Sequence, residues 1–165
     1  MRSVPGGGKS FKAKQLAGDE GVIFSTDEFW GKDLVEYREN WDKASSQGRT
    51  GPLLGYYHKL NFERSEKAME EGLSPIIIDN TNVKIRDMRP YVEAGINHGY
   101  DVEFAEPDSK WWKKIQPLLR KKEANVKELK RAADLLAERN EHGVPAEVIY
   151  KMMEKWHPDI TLDDF

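Results

Sequence analysis

The sequence predicts an α/β fold with a mostly parallel sheet. Apolar runs typical of strands, at Val22–Thr26, Pro75–Asp79 and Asp101–Ala105, alternate with segments that favour helices. The run Ile76–Ile78 is the clearest strand signal, because a strand covered on both faces is continuously apolar. Strands that alternate with helices connect as βαβ units, and such units build parallel sheets.

A glycine-rich loop near the start of the chain supports the same fold class. The segment Pro5–Ser10, PGGGKS, matches the end of the phosphate-binding template G-x-x-x-x-G-K-[ST], which lies between a strand and a helix. Its glycines allow consecutive backbone N–H groups to point into one anion site. We expect Lys9 to reach the β- and γ-phosphates of ATP and the Ser10 hydroxyl to bind Mg²⁺. The alternative is a flexible glycine-rich terminus. The residues predicted to bind the nucleotide are Gly6, Gly7, Gly8, Lys9, Ser10 and Phe11.

The strand that should precede this loop is short. The first glycine of the template falls on Ser3, which has a Cβ where the chain bends most tightly. A strand needs roughly five or six residues, so Met1–Val4 supplies only its end. We therefore expect a truncated first strand, as in a trimmed fragment or a shortened gene product, with unpaired backbone groups beside the site.

Helix and turn signals predict the remaining elements. A helix over Phe11–Ala17 should pack through Phe11 and Leu16 and end at Gly18. The segment Trp30–Gly51 shows no clean period. Further helices are predicted over Leu53–Glu71, Arg86–Asn97, Lys110–Glu138 with a break at Pro117, and Pro145–Trp156.

Composition restricts the class of protein. A chain of 165 residues can form one core and is short for two domains. We expect one domain over 1–156, with a lid at about 110–145, and an acidic tail over 157–165. The absence of cysteine excludes disulfides and thiolate metal sites, and no signal peptide or long apolar span is evident. We therefore expect a soluble cytoplasmic protein, or a nuclear one, with no membrane partner.

Two carboxylates follow predicted strands. Ligands of open parallel sheets bind beyond the carboxyl ends of the strands, so these positions are candidates for chemistry. Asp27 is the predicted general base that activates an attacking hydroxyl, and its alternative role is to cap the next helix. Asp79 is predicted to help hold Mg²⁺, and its alternative role is to close a turn. The amides and hydroxyl of Asn80–Asn82 are suited either to a phosphate or sugar or to that turn.

The charge-rich second half contains two further candidates. Arg139 lies where a lid arginine would stabilise a transferring phosphoryl group, although an ordinary surface arginine is the alternative. The net charge of −3 argues against general nucleic-acid affinity, but Lys110–Arg131 carries nine Lys or Arg residues against two Glu. Trp111 and Trp112 lie within it, and aromatic faces among lysines are suited to single-stranded nucleic acid, or simply to packing.

The order of these motifs resembles a known enzyme family. The succession PGGGKS, FSTDEFW, SPIIIDNTN, FAEPDSKW and ERNEHGVP is similar to the polynucleotide-kinase-type P-loop kinases, and within them to the kinase-like domain and short paralogues of the Nedd-four-binding-protein family. The resemblance covers nearly all of Pro5–Trp156. It implies a P-loop NTPase sandwich of three layers with a helical lid. It also implies transfer of the ATP γ-phosphate, with Mg²⁺, to the 5′-hydroxyl of DNA or RNA.

The resemblance also implies roles for individual residues. Lys9 and Ser10 match the phosphate and Mg²⁺ residues of the family, Asp27 matches its general base, and Arg139 matches a lid arginine. Besides Ser3, two departures are evident. Trp30 and His142 both stand where the phage enzyme of the family has an arginine. A kinase for a small metabolite and a nucleotide-binding interaction module without turnover are therefore the alternatives.

Overall fold

Seven α-helices and a two-stranded sheet make up the protein. The structure is a computed structural model that describes residues 1–165. The elements are α1 (Lys9–Ala17), β1 (Val22–Phe24), α2 (Leu34–Ser46), α3 (Thr50–Glu70), β2 (Ile76–Ile78), α4 (Ile85–Asn97), α5 (Lys110–Arg120), α6 (Val126–Arg139) and α7 (Ala146–Glu154). Short 3₁₀ helices cover Thr26–Phe29, Lys122–Ala124 and Leu162–Asp164. None of the helices is long and apolar enough to cross a membrane.

The sheet confirms the predicted parallel arrangement on a smaller scale than expected. β1 and β2 pair in parallel, with Val22 opposite Ile76 and Phe24 opposite Ile78. Both strands are half-buried rather than buried, and the full three-layer sandwich is not formed. The predicted strand over Asp101–Ala105 is wrong, because a strand needs a ladder of backbone hydrogen bonds to a neighbour and this segment accepts only one, from Arg2 N to Ala105 O.

The first residues of the chain lie between β2 and that unpaired segment. The amino group of Met1 donates to Ile78 O at 2.9 Å, and the N–H of Arg2 donates to Ala105 O at 2.8 Å. Met1–Val4 is buried. These residues therefore lie between β2 and Ala105 and are enclosed by the protein.

Two helix predictions need correction. The packing positions predicted for α1 are wrong, since Phe11 is 67% exposed and Leu16 is 39% exposed. The small residues Ala13 and Ala17 are buried instead and bring α1 close to both strands. The sequence pattern also missed α2, which begins at an N-cap carboxylate: Asp33 Oδ1 accepts the N–H groups of the next turn at 3.0 and 2.9 Å.

The largest apolar core lies in the predicted lid region. α5 continues through Pro117 and ends at Arg120, so the predicted break occurs one turn later than expected. The helices α5, α6 and α7 pack on one another and include Val4 in their core. The buried residues of this cluster are Val4, Val83, Trp112, Ile115, Leu119, Leu129, Ala132, Ala133, Leu136, Ile149, Met153 and Trp156.

The acidic tail lies against the body of the protein. Arg120 binds both oxygens of Asp159 at 3.0 and 3.2 Å through Nε. The ring of Phe165 stacks on Phe104 at a centroid distance of 5.3 Å, and the carbonyl of Phe165 accepts from Arg89 at 2.6 Å. The tail thus contacts α4, α5 and the unpaired segment before α5.

Candidate functional site

The glycine-rich loop is shaped by packing against α5 and α6. Gly6 and Gly8 have φ angles of 80° and 98°, a region that residues with a Cβ rarely adopt. A Cβ at Gly6 would lie 2.5 Å from Leu136 O in α6. A Cβ at Gly7 would collide with Ser3 Oγ and lie 3.1 Å from the ring of Trp112. The three glycines are therefore required by backbone conformation or by close approach.

Ser3 fits the loop without strain. Its φ angle is not positive, its side chain is fully buried, and its Oγ donates to Val4 O at 2.8 Å. The departure from the template at Ser3 therefore leaves the bend intact, because the left-handed residues of the loop are Gly6 and Gly8.

The start of α1 presents a group of unpaired donors. No carbonyl or side chain accepts the backbone N–H groups of Gly8–Phe11, since the first helical hydrogen bond runs from Lys12 N to Gly8 O and the helix has no capping side chain. Four adjacent donors at the positive end of a helix favour an anion. The exposed Ser10 hydroxyl makes no hydrogen bond, so it too is free for a ligand. Phe11 contributes through its backbone, because its side chain is exposed.

Lys9 and Asp79 form a close ion pair beneath the loop. Lys9 Nζ lies 2.5 Å from Asp79 Oδ1 and 3.3 Å from Asp79 O. The two side chains are 11% and 6% exposed, so the attraction acts in a region of reduced dielectric. Asp79 directly follows β2, and its N–H donates to Phe24 O. The pair thus brings the template lysine and the predicted Mg²⁺ residue together at one edge of the sheet.

Asp27 follows β1 at the same edge of the sheet. The two strand ends are joined because the N–H of Thr26 donates to Asn80 Oδ1 at 3.0 Å. Asp27 does not cap the 3₁₀ helix, since that role belongs to Ser25, whose Oγ accepts from Asp27 N at 3.3 Å. The Asp27 side chain is 44% exposed, and it is therefore open to an incoming ligand.

His142 is the partner of Asp27. His142 Nε2 lies 3.5 Å from Asp27 Oδ2, and the imidazole packs on the Tyr37 ring at a centroid distance of 4.3 Å. His142 Nδ1 is buried and makes no hydrogen bond. Burial, and secondly the charge of Asp27, raise the pKa of the Tyr37 hydroxyl, so Tyr37 stays neutral beside the carboxylate.

Asn140 holds the loop that carries His142. Its Nδ2 donates to the carbonyls of Ala137 and Val144 at 2.9 and 3.0 Å. Its Oδ1 accepts from Val144 N at 2.7 Å. The Asn140 side chain therefore closes the turn after α6. This turn places His142 beside Asp27, at the end of β1.

Arg139 is connected to the glycine-rich loop indirectly, through the side chain of Trp111. Its guanidinium lies 4.4 Å from the centroid of the Trp111 ring, and Trp111 Nε1 donates to Gly6 O at 3.0 Å. Trp111 is 37% exposed. Trp112 is fully buried, so of the two adjacent tryptophans only Trp111 has a face that a ligand can reach.

The remaining predicted polar residues have structural partners. Asn82 Nδ2 donates to Met1 O at 2.8 Å, and Thr81 O accepts from Ser3 N at 3.1 Å. Trp30 is 1% exposed and packs among the aromatic rings of α2 and α3, so it does not offer a contact to a substrate.

A known human protein contains a segment similar to this chain. The chain is 38% identical over 164 residues to NEDD4-binding protein 2 from Homo sapiens. The match covers 98% of this chain and 8% of that protein. This chain is homologous to that segment. No protein-family model matches the chain, and no solved structure does.

Sequence reasoning missed the residues that act through distant contacts. His142 was predicted only as a departure from a family pattern, and its pairing with Asp27 depends on how the turn after α6 packs against Tyr37 of α2. The contact between Trp111 and Gly6 likewise joins distant parts of the chain. The pair of residues Arg139 and Asn140 before the His-Gly turn is the one local signal that could have indicated an ordered loop.

Proposed function

We propose that this chain is a P-loop phosphotransferase that moves the γ-phosphate of ATP to a polynucleotide 5′-hydroxyl. The observation that carries the proposal is the phosphate loop, where four unpaired N–H groups of Gly8–Phe11 surround the start of α1. Lys9 is held next to them by Asp79. Donors of this number and charge are suited to the β- and γ-phosphates of a nucleotide.

The residues present fit a nucleotide with Mg²⁺. Gly6 and Gly8 adopt positive φ angles, a conformation that lets backbone N–H groups of a loop turn toward one anion. Ser10 and Asp79 are oxygen donors of the kind that Mg²⁺ prefers, and the ion usually completes its shell with phosphates and water. No group of three or more acidic or histidine side chains holds a metal by itself. When bound, the ion would neutralise charge on the phosphates.

Asp27 is the residue suited to act as general base. Its exposed carboxylate would accept the proton of the 5′-hydroxyl while the hydroxyl oxygen attacks the γ-phosphorus. The bond from phosphorus to the β-γ bridging oxygen breaks, and ADP leaves. His142 is suited to orient the carboxylate from its packed position on Tyr37. Lys9 and Arg139 supply positive charge to the transferring group, which is the main catalytic task in such reactions.

The choice of a polynucleotide acceptor depends on the surface near the loop. Trp111 offers a half-exposed ring beside Gly6, and lysines of α5 such as Lys110 and Lys113 are exposed around it. Aromatic stacking combined with phosphate neutralisation favours a single-stranded end over a small metabolite. Such binding should weaken as the salt concentration rises.

A nucleotide-binding module without turnover is the second candidate. The observation that favours it is the tight pair of Lys9 and Asp79, since a lysine that remains with this carboxylate does not follow the γ-phosphate. His142 also stands where the phage enzyme of the family has an arginine, so the permanent charge of a guanidinium is absent at that position.

Phosphate transfer from labelled ATP to 5′-hydroxyl DNA and RNA oligonucleotides tests the proposal. Asp27→Asn should leave ATP binding unchanged and lower the transfer rate by at least roughly 10²-fold. Lys9→Ala should weaken ATP binding and abolish transfer. Glu28→Gln is the matched control, because Glu28 is adjacent to Asp27 but pairs with Arg64 at 2.6 Å, and it should retain transfer.

Each outcome separates the two candidates. Transfer that Asp27→Asn abolishes and Glu28→Gln preserves supports the kinase. ATP binding without transfer to either oligonucleotide contradicts it and supports the binding module. Equal losses in the two acidic variants would contradict the role of Asp27 as base.

A further inference from the structure

The segment Pro107–Trp111, which leads into α5, is bonded to the glycine-rich loop by two side chains. Ser109 Oγ donates to Gly7 O at 2.9 Å, and Trp111 Nε1 donates to Gly6 O at 3.0 Å. The partners are 102 and 105 positions apart in the sequence. Two successive carbonyl groups of the loop are therefore held by the start of α5.

The Ser109 hydroxyl uses both its donor and its acceptor. A hydroxyl has one O–H to donate, and Ser109 gives it to Gly7 O. Its oxygen accepts the N–H of Trp112 at 3.1 Å, which makes Ser109 the N-cap of α5. Trp112 is fully buried, so the cap is fixed relative to the core. The loop carbonyl is thus bonded to a group that is itself held in place.

The hydrogen bond to Gly7 O sets the direction of the Gly8 N–H. The peptide bond between the two glycines is planar and trans, so its C=O and N–H groups point in opposite directions. Because the carbonyl points to Ser109, the N–H points away from Ser109, and no protein group accepts it. It is the first of the four unpaired donors at the start of α1.

The hydrogen bond from Trp111 restrains the preceding peptide group. The carbonyl of this group is Gly6 O, and its N–H, that of Gly7, donates to Val4 O at 3.3 Å. Both polar groups of this peptide are therefore used within the protein. Glycine has more backbone freedom than any other residue, so the two side chains of the α5 segment limit a loop that would otherwise adopt many conformations.

We propose that Ser109 is a positioning residue for nucleotide binding, which holds Gly7 O so that the Gly8 N–H stays turned toward the phosphates of ATP. Trp111 supports the same arrangement through Gly6 O. A donor that is oriented before the ligand arrives loses less conformational entropy on binding. Ser109 acts through the backbone and does not itself contact the phosphates. Because its ligand is the nucleotide, this role rests on the proposed function, but it does not depend on the identity of the acceptor.

The test measures binding of ATP and of inorganic tripolyphosphate, each with Mg²⁺, to the full chain by calorimetry. Tripolyphosphate carries the anionic part of ATP without the nucleoside, so its binding reports on the loop alone. The variants are Ser109→Ala, which removes the hydroxyl, and Ser109→Thr, which keeps it. The matched control is Asp33→Ala, because Asp33 is the N-cap of α2 and makes no hydrogen bond to the loop.

We expect Ser109→Ala to weaken binding of both ligands by roughly tenfold, since one oriented donor is lost. Hydrogen exchange at the Gly8 N–H, measured with saturating tripolyphosphate, should be faster in this variant than in the parent chain. Ser109→Thr should retain both affinities. Asp33→Ala should lower the melting temperature, as any lost helix cap does, and should leave both affinities unchanged.

Trp111→Phe decides the question even if Ser109→Ala does not fold. This change removes the Nε1–H that donates to Gly6 O and keeps an aromatic ring beside Arg139. It should weaken tripolyphosphate binding by at least roughly threefold. An unchanged affinity would show that restraint of the loop carbonyls does not contribute to binding, and it would overturn the proposal.

Three further results would overturn the role of Ser109. The first is equal affinity of Ser109→Ala and the parent chain for tripolyphosphate. The second is a loss in Ser109→Thr as large as that in Ser109→Ala, or an equal loss in Asp33→Ala, which would indicate a general effect of stability. The third is the absence of binding of either ligand by the parent chain, which would contradict nucleotide binding as well. Affinity that depends on Ser109, without transfer to any oligonucleotide, would support the positioning role and contradict only the kinase.

Discussion

Replacement of Gly7 by alanine tests how tightly the glycine-rich loop is packed. A Cβ at this position would collide with Ser3 Oγ and lie 3.3 Å from Ser3 Cβ and 3.1 Å from Trp112 Cε3. The backbone of Gly7 does not have a positive φ angle, so the expected effect comes from packing alone. Overpacking of this kind destabilises a protein by about 1–3 kcal/mol.

A second substitution removes the atom that causes the collision. Ser3→Gly deletes the Oγ and Cβ of Ser3, at the cost of the hydrogen bond to Val4 O and of extra backbone entropy in the unfolded chain. These losses sum to about 1.5–2 kcal/mol. In the double variant only the contact with Trp112 remains tight. The double variant should therefore be about as stable as Ser3→Gly alone, with a coupling energy of about 1–2 kcal/mol.

These effects form a double-mutant cycle of four proteins: the parent chain, Gly7→Ala, Ser3→Gly and the double variant. The free energy of unfolding of each is measured by urea denaturation with tryptophan fluorescence. The slope of the free energy of unfolding against urea concentration should be the same in all four proteins. Additive effects, within about 0.5 kcal/mol, would refute the described contact between Gly7 and Ser3.

Three further predictions concern other parts of the chain. Gly55→Ala lies within α3, where an added Cβ meets nothing within 4 Å, and it should stabilise the protein by up to about 1 kcal/mol; a destabilisation in the urea experiment would contradict this placement. Leu129→Ala removes a side chain that is 2% exposed in the core between α5, α6 and α7, and it should lower the free energy of unfolding by about 2–5 kcal/mol. Burial lowers the pKa of His58, and the neutral ring is paired with Thr26 Oγ1 at 3.1 Å, so the unfolded state binds the proton more tightly. The contribution of His58 to stability is therefore complete above the ordinary histidine pKa of about 6.5 and is lost as the pH falls through the lower folded value. His58→Gln should reduce this pH dependence of the free energy of unfolding, and an unchanged dependence would show that His58 does not titrate differently in the two states.

Local signals were sufficient where an element needs only its own residues. The end of α1 at Gly18 and the strand Ile76–Ile78 were predicted closely, and α1 begins at Lys9, two residues before the predicted start at Phe11. Glycine conformation and apolar runs are properties of short segments, so the sequence alone indicates them. The same reasoning failed for Asp101–Ala105. A strand there depends on a neighbour from another part of the chain, and that neighbour is not formed.

Side-chain burial was predicted less well than element type. Phe11 and Leu16 are the large apolar residues of α1, and yet Ala13 and Ala17 face the sheet, because close packing of a helix on strands selects the small side. α2 was missed since its signal is a single N-cap at Asp33 in a segment without a clear apolar period.

The sequence by itself determined the chemical inventory of the candidate site: the glycines of the loop, Lys9, and the carboxylates that end the strands. These residues are set by the local demands of a tight loop and of strand termini. Only the tertiary structure decided which of them meet. Lys9 and Asp79 are 70 positions apart and yet form an ion pair, and Asp27 acquires His142 as a neighbour because α5, α6 and α7 pack around a common core that includes Val4. Distant residues meet because that core becomes buried when the chain folds. A short stretch of sequence does not show which distant residues the core brings together.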